Sequence, residues 1–199
     1  MPKSDLEVVR GLGTNLVFFD TIQNSSFADD IALDNFDAIT KLLGLLHKKK
    51  QTKVVFFGCL NTFMSSSIER EQAFDQLSGG KKYLINVNKK NWAKEVFLSL
   101  KTIHKENCQG ILSANGYFAL EIKKQILKNF PHLKDLPMVT IDNEEPHFMD
   151  AFGIDRIAQP YFEFGKRSFE LLKRQNDLSV DWKANQYLLK GELILTQKQ

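Results

Sequence analysis

The residues with the clearest chemical potential in this sequence are three carboxylates and one amide that follow short apolar runs. Asp20, Asp34 and Asp142 each end such a run, and Asn115 stands one residue past another. Carboxylate oxygens accept hydrogen bonds and an amide both donates and accepts, so this set suits the hydroxyls of a sugar or polyol, or the N–H edge of a base. Turns and helix N-caps also favour Asp and Asn, so each residue alone can equally be structural.

Arg70 and Trp92 could complete a binding site of this kind. Arg70 lies one turn inside a predicted helix and could donate forked hydrogen bonds, although its neighbours Glu69 and Glu71 also allow a surface ion pair. Trp92 follows a polar loop and could stack on the apolar face of a ring, or simply be half-buried at the start of a helix.

The sequence contains no recognisable catalytic motif. There is no Gly-rich phosphate-binding motif after a strand and no G-x-S-x-G motif. Asp20 could be the phosphoacceptor of a receiver-type domain, but that chemistry needs a second nearby carboxylate and a Lys at a later strand end. A metal site from Glu144, Glu145 and His147 would require consecutive residues to point one way. We therefore predict no enzyme activity, no catalytic residues, no metal and no cofactor.

Composition indicates an ordinary globular protein. The chain has 199 residues, of which 43% are hydrophobic and 26% charged, and a formal net charge of +3. Cys59 and Cys108 have no metal-ligand spacing, which favours a reducing compartment. The N-terminal residues form no signal peptide, and no run reaches the ~20 apolar residues that span a bilayer. We expect a cytoplasmic protein without membrane contact.

The elements that must position these residues repeat along the chain. Apolar runs that predict strands alternate with amphipathic stretches that predict helices, at the spacing of βαβ units. The runs are continuously apolar, as in parallel strands buried on both faces. We therefore predict an α/β fold with a mostly parallel, doubly wound sheet, in which ligands bind at the carboxyl ends of the strands. The predicted strands are 15–20, 29–34, 53–58, 83–87, 110–114, 138–142 and 186–196 with a break at Gly191; the predicted helices are 35–49, 65–77, 92–104, 115–130 and 160–174.

The order of these pieces resembles the effector-binding domain of the lactose-repressor (LacI/GalR) family of bacterial transcription regulators, which has a type I periplasmic-binding-protein-like fold. The similarity runs from about residue 5 to the end of the chain, and each piece is weakly specific while their order is much more so. The matching pieces are Leu16-Val-Phe-Phe-Asp20, Asp34-Asn35, Lys53-Val-Val-Phe-Phe-Gly58, Arg70-x-x-Ala-Phe74, Trp92, Ile111-Leu-Ser-Ala-Asn115, Val139-Thr-Ile-Asp142, Ile157-Ala-Gln159-Pro160 and Leu189-Lys-Gly-Glu-Leu-Ile-Leu195.

The resemblance implies a set of effector contacts and the way they act. An Arg–Asp clamp would hold the polar groups of a ligand under an aromatic lid, and two lobes would close around it. Gly116 stands where the family usually has Asp, so one acidic group of that pattern is missing. The implied ligand-binding residues are Asp20, Asp34, Arg70, Trp92, Asn115, Asp142 and Gln159.

The resemblance also implies a division into lobes. Residues 1–22 and 160–178 would form a remnant of the N-terminal lobe, and residues 23–159 and 179–199 a complete C-terminal lobe. The helix-turn-helix head of the family has no counterpart, so operator DNA would be bound only through a segment that this chain lacks. The expected function is ligand sensing for a sugar or small polar metabolite by a cytoplasmic regulator, as a homodimer. The alternatives are a periplasmic-type sugar-binding protein of a transport system and, less favoured, the receiver-type domain.

Overall fold

The protein is described here by a computed structural model that covers residues 8–9, 11–23, 25–60, 64–86, 89–142, 144–177 and 181–196. Within these ranges the strands form two separate sheets, one of three strands and one of six. The strands are β1 (Val17–Phe19), β2 (Asp29–Leu33), β3 (Val54–Cys59), β4 (Lys82–Ile85), β5 (Gly110–Ser113), β6 (Met138–Ile141), β7 (Ile154–Ala158), β8 (Gln186–Leu189) and β9 (Glu192–Ile194).

In the described ranges, six helices connect the strands. They are α1 (Asn35–Lys48), α2 (Ser65–Leu77), α3 (Trp92–Lys105), α4 (Gly116–Asn129), α5 (Pro146–Ala151) and α6 (Tyr161–Gln175), with a short 3₁₀ turn at Pro131–Leu133. The five helices expected from the sequence are confirmed to within a few residues at each end. The short helix α5 and strand β7 had not been predicted separately. None of the helices in the described ranges is long and apolar enough to cross a membrane.

The larger sheet has the strand order β4-β3-β5-β6-β7-β9, and every pair is parallel except β7 with β9. Strand order reverses at β3, because β4 lies on one side of it and β5 on the other. Ligands in open α/β sheets bind at such a switch point, outside the carboxyl ends of the strands.

Both faces of the larger sheet are covered, which confirms the doubly wound prediction. Successive strand residues point to opposite faces, so Val54 and Phe56 join a core with α1, while Val55 and Phe57 join a second core with α3 and α4. All four side chains are buried. The continuous apolar runs of the sequence therefore reflect burial on two sides.

The smaller sheet has the order β1-β2-β8, all parallel, and α6 packs against β1 and β2. The sequence-based division had assigned only residues 1–22 and 160–178 to the smaller unit. The strand pairing instead joins β2 and β8 to β1, so residues 29–33 and 186–189 lie in the sheet of that unit. Part of the N-terminal segment, residues 1–7 and 10, falls outside the described residues.

Three stretches of chain cross between the two sheets. They run from β2 through α1 to β3, from β7 into α6, and from β8 to β9. The last crossing is tightly packed around Gly191, because a Cβ there would press on the side chain of Ile157 and lie 2.8 Å from the carbonyl oxygen of Ala158. A Cβ added at Gly44, on α1, would have no other atom within 4 Å.

Two buried carboxylates anchor the C-terminal part of the chain. Asp29, fully buried in β2, accepts hydrogen bonds from Gln175 Nε2, Trp182 Nε1 and the backbone N–H of Asn185, at 2.8, 3.0 and 2.9 Å. Such multiple hydrogen bonds offset the cost of burying a charge.

Asp155, in β7, plays the same part for the end of the chain. It accepts hydrogen bonds from Lys49 Nζ at 2.6 Å and from both the backbone N–H and the hydroxyl of Thr196 at 2.9 Å. Burial opposes ionisation of Asp155, but these hydrogen bonds outweigh it and hold its pKa below the ordinary value.

Candidate functional site

Polar residues gather where the strands of both sheets end. Asp20 follows β1, Asp142 follows β6 and Gln159 follows β7, while Arg70 lies on the helix that follows β3. The structure brings these four predicted residues together. Parallel strands present their carboxyl ends at one edge, which explains why residues so distant in sequence meet.

Arg70 is the centre of this cluster and is almost entirely buried, with only 5% of its surface exposed. Its Nε donates to Asn35 Oδ1 and its Nη1 to the carbonyl oxygen of Ala114, both at 2.8 Å. The guanidinium therefore bridges the start of α1 and the end of β5, at the point where strand order reverses. Asn35 is fixed in turn, because its Nδ2 donates to Glu69 Oε2 at 2.7 Å.

Asp142 and Gln159 form the acidic side of the cluster. The Nη1 atom of Arg70 lies 3.9 Å from Asp142 Oδ2, and Gln159 Nε2 donates to Asp142 Oδ1. Gln159 is 8% exposed and its Nε2 also donates to the hydroxyl of Tyr161, at 3.1 Å. Its Oε1 is buried and receives no hydrogen bond from the described residues.

Asp20 is held close to the same charges. Burial raises the pKa of Asp20 above its ordinary value, the positive charge of Arg70 works against that rise, and the negative charges of Asp142 and Glu69 add to it. Its Oδ1 is a second buried acceptor without a hydrogen-bond donor in the described part of the chain. Burial and the charges of these neighbours therefore determine how readily Asp20 ionises.

The backbone at Asp20 and Asp142 has the same unusual conformation. Each residue continues its sheet by one backbone hydrogen bond of 2.8 Å, Asp20 to Ile31 and Asp142 to Ile157. Each then turns the chain with a positive φ, of 56° and 87° respectively. Asp tolerates this left-handed region better than most residues, and such positions concentrate at functional sites.

Tyr161 belongs to the site although the sequence did not single it out. Its hydroxyl accepts the hydrogen bond from Gln159, and burial together with the negative charges of Asp142 and Asp20 raises its pKa to about 12. It follows directly after Gln159-Pro160, and that adjacency was the available signal. Asn35 was also missed, although it follows the predicted contact Asp34.

Asp34 and Asn115 have structural roles that the sequence had left open. Asp34 caps α1 by accepting a hydrogen bond from the backbone N–H of Asp37, and Asn115 caps α4 by accepting one from Phe118, both at 2.9 Å. Asp34 lines an open groove of about 370 Å³ with Asn35 and Glu69. Asn115 follows Ala114, the residue that binds Arg70. Their contact with a ligand stays a prediction.

Trp92 begins α3, as predicted, and packs on aromatic neighbours on α4. Its ring lies 5.4 Å from that of Tyr117 and 5.6 Å from that of Phe118, between ring centroids. The half-buried position at a helix start is therefore confirmed. The stacking of Trp92 on a ligand stays a prediction.

In the described residues, no three His, Cys, Asp or Glu side chains are grouped so that they could hold a metal ion. The chemistry that the cluster offers is hydrogen bonding: one guanidinium with donors to spare, an amide, a phenol and several carboxylate oxygens. Such a set has the chemistry that is needed to bind and orient a polar molecule.

Comparison with known proteins places this geometry in a known fold. Scans of protein-family models and of curated proteins find no match, but many solved structures are similar. One is the xylose-binding transcription activator XylR, with a TM-score of 0.78 and 19% identity. The match covers 100% of this chain, which spans 57% of the XylR chain. The chain has the fold of a LacI-type effector-binding domain.

Two further structures with this LacI-type fold were solved with a sugar bound. A LacI family regulator from Enterococcus faecalis V583 with bound ribose has a TM-score of 0.74 and 19% identity, over 96% of this chain and 71% of that one. The Cra regulator from Pseudomonas putida with fructose 1-phosphate has a TM-score of 0.78 and 13% identity, over 98% and 73%. The resemblance found in the sequence is confirmed at the level of the fold.

Proposed function

We propose that this chain is the ligand-sensing domain of a LacI-type transcription regulator and that it binds a sugar or another small polar metabolite. One observation supports this above the others. A buried Arg70 is fixed beside Asp142, Gln159 and Asp20 at the strand ends of both sheets, which are the positions that the resemblance assigns to effector contacts.

The cluster is also suited to convert binding into a change of shape. Asp20 belongs to the smaller sheet, Asp142 to the larger one, and Gln159 to the crossing between them. A ligand held by all three would favour one relative placement of the two sheets, since it can only shift an equilibrium between states that it binds differently. In a whole regulator this shift would alter the geometry of paired DNA-binding heads, carried by a separate segment of a cytoplasmic homodimer.

Calorimetric titration with a panel of pentoses, hexoses, their phosphates and purines tests the proposal. We expect at least one compound to bind with a Kd of about 1 mM or tighter, as ordinary pocket ligands do. Asp142→Asn keeps the left-handed backbone and the volume of the side chain, so it should fold. It removes the charge that faces Arg70, and we expect it to weaken binding about tenfold or more.

Asp181→Asn is the matched control, because its carboxylate is 90% exposed and lies outside the cluster. It should leave the affinity unchanged. Equal affinities of wild type, Asp142→Asn and Asp181→Asn for the same compound would contradict the proposed site. Failure of every compound to bind would contradict the proposed function.

A further inference from the structure

The cluster around Gln159 has hydrogen-bond acceptors to which none of the described residues donates. Both hydrogens of Gln159 Nε2 are used, one on Asp142 Oδ1 and one on the Tyr161 hydroxyl. The opposite orientation of the amide would put Gln159 Oε1 against a carboxylate, so Asp142 determines which atom is the nitrogen. Gln159 Oε1 and Asp20 Oδ1 are left buried, with no donor among the described residues.

Buried acceptors of this kind are costly unless something donates to them. An unsatisfied buried polar group destabilises a protein relative to a hydrogen-bonded one. Gln159 is more than nine-tenths buried, and its orientation is fixed by two hydrogen bonds. A ligand that brings a donor to Gln159 Oε1 and another to Asp20 Oδ1 would meet acceptors that are already in place.

The cluster is also surrounded by more negative than positive charge. Among the described residues, the groups whose charges act on Asp20 and Tyr161 are one cation, Arg70, and four carboxylates. Arg70 also has less to offer than a free guanidinium, because its Nε and Nη1 already donate to Asn35 and Ala114. The carboxylates are Asp20, Glu69, Asp142 and Glu144.

We infer that this site selects ligands that present hydrogen-bond donors and carry no negative charge, so that it binds a neutral polyhydroxylated ring or its amino derivative in preference to a sugar phosphate. The inference rests on the proposed function and narrows its ligand class. The fold alone does not decide this, since the similar structures include one with ribose and one with fructose 1-phosphate. The side chains of this chain decide it.

Matched sets of probes test the selectivity directly. D-glucose, D-glucosamine and D-glucose 6-phosphate form one set, and D-ribose with D-ribose 5-phosphate another, each titrated calorimetrically into the full chain at pH 7.5. In any set in which a member binds, we expect the phosphate ester to bind about tenfold more weakly than the neutral sugar, or not at all, because each nearby carboxylate repels it. The amino sugar should bind at least as tightly as its parent.

Asp20→Asn separates charge from size. It removes one negative charge and offers an amide where Asp20 Oδ1 was an acceptor, so the discrimination against the phosphate ester should fall severalfold. A steric cause would leave that discrimination unchanged. Asp181→Asn makes the same change in net charge at an exposed position and should leave it as in the wild type.

Three results would overturn the inference: a phosphate ester that binds as tightly as its parent sugar, a phosphate ester that binds where the neutral sugar does not, or equal discrimination in Asp20→Asn and Asp181→Asn. Each of these leaves the proposed function standing, because a ligand is bound. If no member of either set and no compound of the wider panel bound, the proposed function would fail and the inference with it.

Discussion

Replacing Arg70 by Met should destabilise the protein strongly at neutral pH. The change removes the donors to Asn35 Oδ1 and to the Ala114 carbonyl, and it leaves Asp142 and Asp20 without their nearest positive charge. Breaking a buried ion pair from one side costs about 3–5 kcal/mol. The distance of 3.9 Å between Arg70 and Asp142 favours the lower end, and Met retains part of the apolar packing. We expect a loss of about 3 kcal/mol in the free energy of unfolding.

The same variant should show a characteristic dependence on pH. Burial already raises the pKa of Asp20, and Arg70 limits that rise. Without Arg70 the pKa of Asp20 in the folded state should rise further, while in the unfolded state it keeps its ordinary value. An acid with a raised folded pKa destabilises the fold as pH increases from the unfolded to the folded pKa. The free energy of unfolding of Arg70→Met should therefore fall furthest below that of the wild type near pH 7, and the difference should shrink towards pH 4.

Urea denaturation at pH 4, 5, 6 and 7 measures both quantities. Arg167→Met is the matched control. Arg167 is 40% exposed, and it pairs with Glu170 and lies 4.7 Å from the ring centroid of Tyr187; exposed contacts of either kind contribute about 0–1 kcal/mol. Its deficit should be small at every pH. A deficit of Arg70→Met that matched this control, or one that did not change between pH 4 and pH 7, would refute our account of the cluster.

Four other substitutions test the framework around the site. Gly191→Ala should lower the free energy of unfolding by about 2 kcal/mol, because a Cβ has no space there. Gly44→Ala should raise it by up to about 1 kcal/mol, because alanine has the higher helix propensity and the position is open. Urea denaturation measures both changes. Asp29→Ala removes the buried acceptor of three partly buried donors and should cost about 2 kcal/mol or more. Hydrogen exchange in residues 182–189 should become faster, and unchanged exchange there would contradict the anchoring role. Asp155→Asn should cost about 2 kcal/mol at pH 7, again measured by urea denaturation. Because the folded pKa of Asp155 is held below its ordinary value, the difference from wild type should shrink as the pH falls below about 4. A difference that did not change with pH would argue against the hydrogen bonds as its cause.

Much of the fold was predictable because local and global signals agree. Continuous apolar runs mark strands that are buried on both faces, and Asp34 and Asn115 mark helix starts where they do cap a helix. Ser66 and Glu69 have the sequence spacing of a capping box, which predicts one at the start of α2, but the structure does not form it. The helix begins at Ser65 after Met64 without a side-chain cap, and Glu69 accepts a hydrogen bond from Asn35 instead. A tertiary contact has here replaced a local one, which spacing alone does not reveal.

The boundary of the smaller unit could not be obtained from spacing along the chain. All five residues of β2 are buried, and burial alone does not reveal whether the strand pairs with β1 or with β3. Pairing is set by the packing of α6 against β1 and β2 and by the anchoring of the C-terminal segment at Asp29. Both involve residues more than a hundred positions away.

The strand-end residues of the site could be predicted, but the residues that hydrogen-bond to them could not. Asp20, Arg70, Asp142 and Gln159 meet as the resemblance implied, since the topology brings them to one edge. Tyr161 escaped notice because a tyrosine at the start of an amphipathic helix is ordinarily a packing residue, and only the position of Gln159 gives its hydroxyl a polar partner.

The two fixed hydrogen bonds of Arg70 also determine when its freedom of movement is lost. A long side chain that is immobilised on binding costs about 0.5–1.5 kcal/mol in lost rotamer entropy. Here Asn35 and Ala114 already hold the guanidinium in the folded protein. The rotamer entropy of Arg70 is therefore lost during folding, and its loss does not weaken the binding of a ligand. For the proposed ligand we therefore expect Asn35 to contribute to affinity without touching it, so that Asn35→Ala should weaken binding up to about tenfold in calorimetry by releasing Arg70.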